Sequence, residues 1–351
     1  MLKRPSQAAP RPAALSWWLL AVATLVLAMI VVGGITRLTE SGLSIVRWDV
    51  VTGTLPPLGE AQWQAEFDAY RASPQYQQVN RGMDLEDFKS IYFWEYVHRL
   101  LGRLIGLAFA LPLAFFWWRR AIPPGQGWKL AGLLALGALQ GAIGWWMVAS
   151  GLVDRPEVSH IRLAIHLLMA FAIFGWLIWA ALDMRRLARH PAPPRVRAPT
   201  LALWTLSILF LQFLFGAYVA GLEAGYAFNT WPRMGDEWFP AEAPMLSPFL
   251  ANLVDNPVVV QFVHRWLAFV VAGLAIALAM SAWRARLRSH ALALFVAVTV
   301  QIQLGVLTLL SGVEIHIAVA HQAMAALLLG AIVLAAHRLG ARGADEGAAA
   351  P

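Results

Sequence analysis

Eight apolar stretches dominate the chain, at residues 16–36, 91–118, 129–150, 163–182, 200–221, 258–283, 291–310 and 317–337. Each is near the ~20 residues that an α-helix needs to cross the hydrocarbon core. Backbone in lipid must satisfy its own hydrogen bonds, which helices do within one segment. The expected fold class is therefore all-α, an integral membrane protein with eight transmembrane helices. Composition agrees: 13% of residues are charged, about half the share in a soluble domain. The start is basic and free of acid, like a signal peptide, but its apolar run is long and lacks a clear cleavage site, so we read it as a retained helix. The absence of cysteine excludes disulfides, thiolate metal sites and Fe–S clusters.

The net charge of +7 could suggest nucleic acid, but its distribution fits a lipid bilayer better. Lys and Arg are roughly twice as numerous in the segments that share a side with the termini as on the opposite side. The acidic residues lie mostly on that opposite side. Both termini are therefore expected in the cytoplasm, with no nucleic-acid partner.

The chain repeats itself. "VGGITRLTESGLSIVRW" aligns with "FGAYVAGLEAGYAFNTW", pairing Gly33 with Gly216 and Trp48 with Trp231. "EYVHR" aligns with "QFVHR", "QGAIGWWMVASG" with "QIQLGVLTLLSG", and "HLLMAFAIFG" with "HQAMAALLLG". Four helices are followed by four of the same design and orientation. This predicts a cytoplasmic tail at 1–15, a first half at 16–182 and a linker at 183–199. A second half at 200–337 and a cytoplasmic tail at 338–351 complete the chain. The long outer loop at 37–90 is predicted to contain a short amphipathic helix.

Four of the nine histidines form two repeat pairs, His98 with His264 and His166 with His321. All four are placed at one depth in the outer half of the membrane. A single intramembrane histidine can be an interhelical contact or part of a proton relay. Two pairs at one depth point instead to imidazoles facing each other across a four-helix bundle, an arrangement that holds haem iron from both sides. Zinc would need a third or fourth ligand close by. Arg99 and Arg265 directly follow two of these histidines and suit haem propionates; interfacial snorkelling is the alternative. Met169 and Met324 read as packing. His190, His290 and His337 read as solvated, and His160 and His316, at outer helix ends, stay open.

The halves differ where chemistry would matter. Glu95, three residues before His98, is replaced by Gln261 in the second half, and Arg103 by Phe269. A carboxyl group beside a haem face can move protons or stabilise positive charge, whereas an amide cannot titrate. Glu95 could equally form an ion pair with Arg99 or Arg103 on the same helix face.

With "GGITRLTESGLSIVRWDVVTGTLPP", "NRGMDLEDFKSIYFWEYVHRLLGR", "LVDRPEVSHIRLAIHLLMA", "FNTWPRMGDEWFP" and "FVHRWLAF", the chain resembles the haem A synthase family over residues 17–337. It is similar to the cysteine-free, proteobacterial and mitochondrial branch. The resemblance implies a bacterial inner-membrane oxidoreductase that converts haem O to haem A for cytochrome oxidase. A porphyrin methyl group becomes a formyl group by successive hydroxylation. It implies that His264 and His321 are axial ligands of a haem b cofactor, with Arg265 beside it. Substrate haem O is then expected between His98 and His166, with Arg99 nearby and Glu95 and His98 catalytic, all toward the periplasmic face. Haem O synthase and cytochrome oxidase assembly factors are the expected protein partners, and the electron donor is unidentified. A b-type cytochrome that only transfers electrons, and a haem carrier or exporter, are the rival readings of the paired histidines.

Overall fold

The computed structural model describes residues 10–47, 52–153, 155–190 and 192–349. Trp48, the first nine residues of the N-terminal tail and the last two of the chain lie outside the described residues. Among the described residues eight helices are long and apolar enough to cross a membrane: α1 (Pro12–Leu38), α2 (Leu85–Trp118), α3 (Gly127–Ala149), α4 (His160–Arg189), α5 (Thr200–Gly221), α6 (Pro257–Arg284), α7 (Arg288–Leu310) and α8 (Ile315–Ala349). The chain is thus a multi-pass α-helical membrane protein.

Several helices run past their apolar stretches. α2 starts at Leu85 because Asp84 caps it, its carboxylate accepting the Asp87 N–H at 2.9 Å. α8 continues to Ala349 through a polar segment in which Arg342 and Glu346 pair at 2.9 Å one turn apart. The loop after α1 holds the expected short helix, Glu60–Arg71, and a further turn at Pro74–Gln78. Phe67, Tyr70, Tyr76, Phe88 and Tyr92 pack there as a small aromatic core of their own. Burial raises the Tyr70 phenol above its ordinary range.

α1, α4, α5 and α8 form the centre, with α1 packed on α4 and α8, and α4 on α5 and α8. Phe171 of α4 stacks on Phe213 of α5 at 4.2 Å between centroids. The Gln322 amide of α8 donates to the Ile30 carbonyl of α1. α2 and α3 lie outside and turn Leu104, Leu107, Leu111, Phe115 and Trp145 outward, as lipid-facing helices do. At the far side from the histidines, the Ser16 hydroxyl donates to the Ala181 carbonyl, and Arg186 of α4 pairs with Asp345 near the end of α8. Both ends of the described chain therefore lie on one side of the bundle.

That side corrects one expectation. His337 is not solvated: it is 3% exposed, and its Nε2 sits 3.0 Å from Asp183 Oδ1. Asp183 also meets Lys129 at 3.3 Å. The charged partner that makes burial of this imidazole tolerable comes from α4, far away in sequence.

Candidate functional site: two pairs of imidazoles

Each of the four paired histidines faces a glycine on the preceding helix. A Cβ on Gly33 would lie 3.4 Å from His98 Nε2, and on Gly144, Gly216 and Gly305 it would lie 2.9, 3.0 and 2.9 Å from Cε1 of His166, His264 and His321. Approaches of 2.9–3.0 Å leave little room for a methyl group, so Gly144, Gly216 and Gly305 let their rings come close to a neighbouring backbone, whereas at Gly33 the contact would be an ordinary one. Every one of these glycines stands five residues before the last residue of its helix, at Leu38, Ala149, Gly221 and Leu310. The shared register puts all four imidazoles at one depth, about 7.5 Å inside the helix ends at 1.5 Å per residue.

Glutamines add a second contact. One turn before the glycine, the Gln140 and Gln212 amides donate to the carbonyls of His166 and His264, both at 3.0 Å. The same nitrogens lie 3.4 Å from His166 Nε2 and 3.1 Å from His264 Nδ1. Gln301 Nε2 is 3.2 Å from His321 Nδ1. The Oε1 atoms of all three glutamines are buried without a partner.

The His264 and His321 rings are 6.5 Å apart between centroids and nearly perpendicular, at 86°. Two imidazoles sharing one metal ion at about 2.0 Å from each would bring their rings to about this separation. The observed spacing therefore admits one iron. These rings line a cavity of about 270 Å³, walled by apolar residues such as Phe213, Val298 and Ile302 and reached by Arg37 of α1. The close glycines, the spacing and the orphaned amide oxygens all fit a haem held by two imidazoles. Among the described residues no group of three His, Cys, Asp or Glu could hold a metal ion, which fits zinc poorly.

Glu95 and Arg99 engage the outer segment. The 3% exposed Glu95 accepts from the Ser44 hydroxyl at 2.7 Å and the Ile45 N–H at 2.8 Å through Oε2. Its Oε1 accepts from Arg99 Nε at 3.0 Å and Nη2 at 2.6 Å. Arg99 donates onward to the carbonyls of Ile45 and Arg47. The second half repeats this at the same offset: Arg265 donates to the carbonyls of Phe228 and Thr230, and Gln261 to Phe228. A carboxylate that accepts a backbone N–H has become an amide that donates to a backbone carbonyl. Glu95 and His98 share a helix face but engage different neighbours, the outer segment and α1.

The other sequence candidates separate cleanly. Met169 and Met324 pack against the apolar core. The His316 side chain is 92% exposed, 2.6 Å from Glu314. His160 lies 3.2 Å from Asp255 at the junction of the halves. Sequence reasoning did not single out Gln212, because its repeat counterpart is Met29 and no matching pair flagged it.

The comparisons with known proteins agree with one another. Residues 16–333 match the COX15-CtaA family model, described as cytochrome oxidase assembly protein. The chain is 56% identical to a protein named Heme A synthase from Rhizorhabdus wittichii, over 97% of this chain and 98% of the relative. It is 49% identical to a Heme A synthase from Sphingopyxis alaskensis, over 97% and 96% of the two chains. With one from Rhodospirillum centenum it shares 50% identity, over 95% and 91%. With nearly the whole chain matched, this protein belongs to the COX15-CtaA family of cytochrome oxidase assembly proteins.

Proposed function

We propose that the chain is a haem A synthase, an oxidoreductase that converts a porphyrin methyl group of haem O to the formyl group of haem A. The carrying observation is the duplicated imidazole pair whose halves differ at Glu95 and Gln261, in a chain half identical to relatives of that name. His264 and His321 hold haem b, which when bound supplies one-electron transfer. His98 and His166 hold haem O. Arg99 and Arg265 place positive charge at the outer rim, where propionates are favoured, while their hydrogens hold the rim segments.

The first half has room for a substrate with a long apolar tail. α2 packs closely on α1 but lightly on α3, whereas α6 packs closely on both α5 and α7. Where Val298 and Ile302 wall the second-half cavity, α3 has Gly137 and Gly141 with open space beside them. A farnesyl chain, wholly apolar, is stabilised by burial there and against lipid. Glu95 fixes the outer segment above His98 and supplies the one carboxylate that distinguishes this half, able to take or give a proton. The side bearing both termini is cytoplasmic, by its excess of Lys and Arg, so the imidazoles lie toward the periplasm of a bacterial inner membrane.

Deleting the gene tests this reading. Membranes are expected to lose haem A and accumulate haem O with total haem b retained, and Glu95→Gln is expected to fail to restore haem A. Retention of haem A in the deletion strain would refute the assignment.

A further inference from the structure

Three of the four imidazoles rest on a glutamine one turn from their glycine, and the fourth does not. Gln140, Gln212 and Gln301 stand four residues before Gly144, Gly216 and Gly305. Four residues before Gly33 stands Met29, whose Cε would lie 3.4 Å from a Cβ on Gly102, one turn beyond His98 on α2. Met29 thus occupies the glutamine position of the first helix pair and reaches toward the same stretch of α2, but with a thioether, which donates no hydrogen bond and accepts weakly.

The difference bears on how firmly iron is held. An imidazole that ligates through one nitrogen carries a proton on the other, and a hydrogen bond from that N–H fixes the ring and strengthens the ligand. In this structure each glutamine meets its imidazole through Nε2, and its buried, unpartnered Oε1 is the acceptor that a half-turn of the amide would offer to such an N–H. In the second half both ligands have such a glutamine beside the ring, Gln212 and Gln301. In the first half only His166 has one, Gln140.

We infer that Met29 makes His98 the yielding ligand of the pair, so that the first-half site releases its haem while the second-half site retains it. This rests on the assignment of substrate and cofactor to the two halves. It makes Met29 a positioning residue that acts through His98, and it identifies the His98 side as the one that opens when product leaves. The amide network thus separates an exchange site from a permanent one within a single repeated scaffold.

Haem transfer from the purified, haem-loaded protein to excess apomyoglobin tests it, with each haem identified by mass. The wild type is expected to release haem in two phases, haem O or its products first and haem b last. Met29→Gln should slow the fast phase about 10- to 100-fold, the usual weight of such a supporting hydrogen bond, and Gln212→Met should speed the slow phase comparably. Met29→Leu should leave both phases unchanged. An unaltered fast phase in folded Met29→Gln overturns the inference. If that variant does not fold, an unaltered slow phase in Gln212→Met does so. Two haems released in a single phase would also overturn it, leaving the enzymatic assignment standing, whereas a protein that never takes up haem O would overturn that assignment itself.

Discussion

Replacing Glu95 by glutamine removes one charge and cannot preserve the hydrogen bonds. Each carboxylate oxygen accepts from two donors: Ser44 and Ile45 on one, Arg99 twice on the other. Whichever way the new amide turns, its NH₂ group meets two donors. The pair is nearly dry, with side-chain exposures of 4% for Glu95 and 12% for Arg99, so solvent screening offers little relief. Breaking a buried pair by removing one partner costs about 3–5 kcal/mol. Arg99 keeps its bonds to the Ile45 and Arg47 carbonyls, which argues for the lower end, about 3 kcal/mol. At about 1.4 kcal/mol per decade, opening of the outer segment rises about 100-fold. Hydrogen exchange of the peptide spanning Ser41–Arg47 reads this directly through the Ile45 amide. Faster exchange there, with the helices still protected, is expected. Unchanged protection of Ile45 in folded Glu95→Gln would refute the argument that Glu95 anchors this segment.

Gly216→Ala and Gly305→Ala push a methyl to within 3.0 and 2.9 Å of an imidazole and should lower bound haem with a changed optical spectrum, whereas Gly106→Ala, with nothing within 4 Å, should not. His337→Leu leaves Asp183 without its 3.0 Å partner and should cost about 1–3 kcal/mol, seen as a lower unfolding temperature with haem content intact. Burial, with Glu223 and Glu40 adding to it, holds the Glu157 carboxyl above its ordinary 4.5. Its contribution to stability is therefore full below pH 4.5 and is lost as pH rises through the raised value. Glu157→Gln should flatten that decline, as measured by unfolding across acid to neutral pH.

The eight helices were legible because lipid imposes a length and a polarity that few other environments do. The four histidines were legible because duplication repeats them at matching helix depths. What was hidden came from contacts between distant segments. Glu95 was read against Arg99 and Arg103 on its own helix, but Ser44 and Ile45 come from about fifty residues upstream. His337 looked solvated because Asp183 is 154 residues away. Gln140 and Gln301 stood out in the repeat, yet only the fold shows that they face imidazoles. The ends of α4 and α8 ran on through polar and charged residues that hydropathy does not mark.

The central claim is that the two halves hold different haems for different purposes. Extraction of the haems from the purified protein, with each identified by chromatography and mass, tests it most directly. The account predicts haem b together with haem O, haem A or a hydroxylated intermediate, with His264→Ala losing the first and His98→Ala the others. Haem b alone, even from cells made to accumulate haem O, would contradict it and leave a protein that only carries electrons.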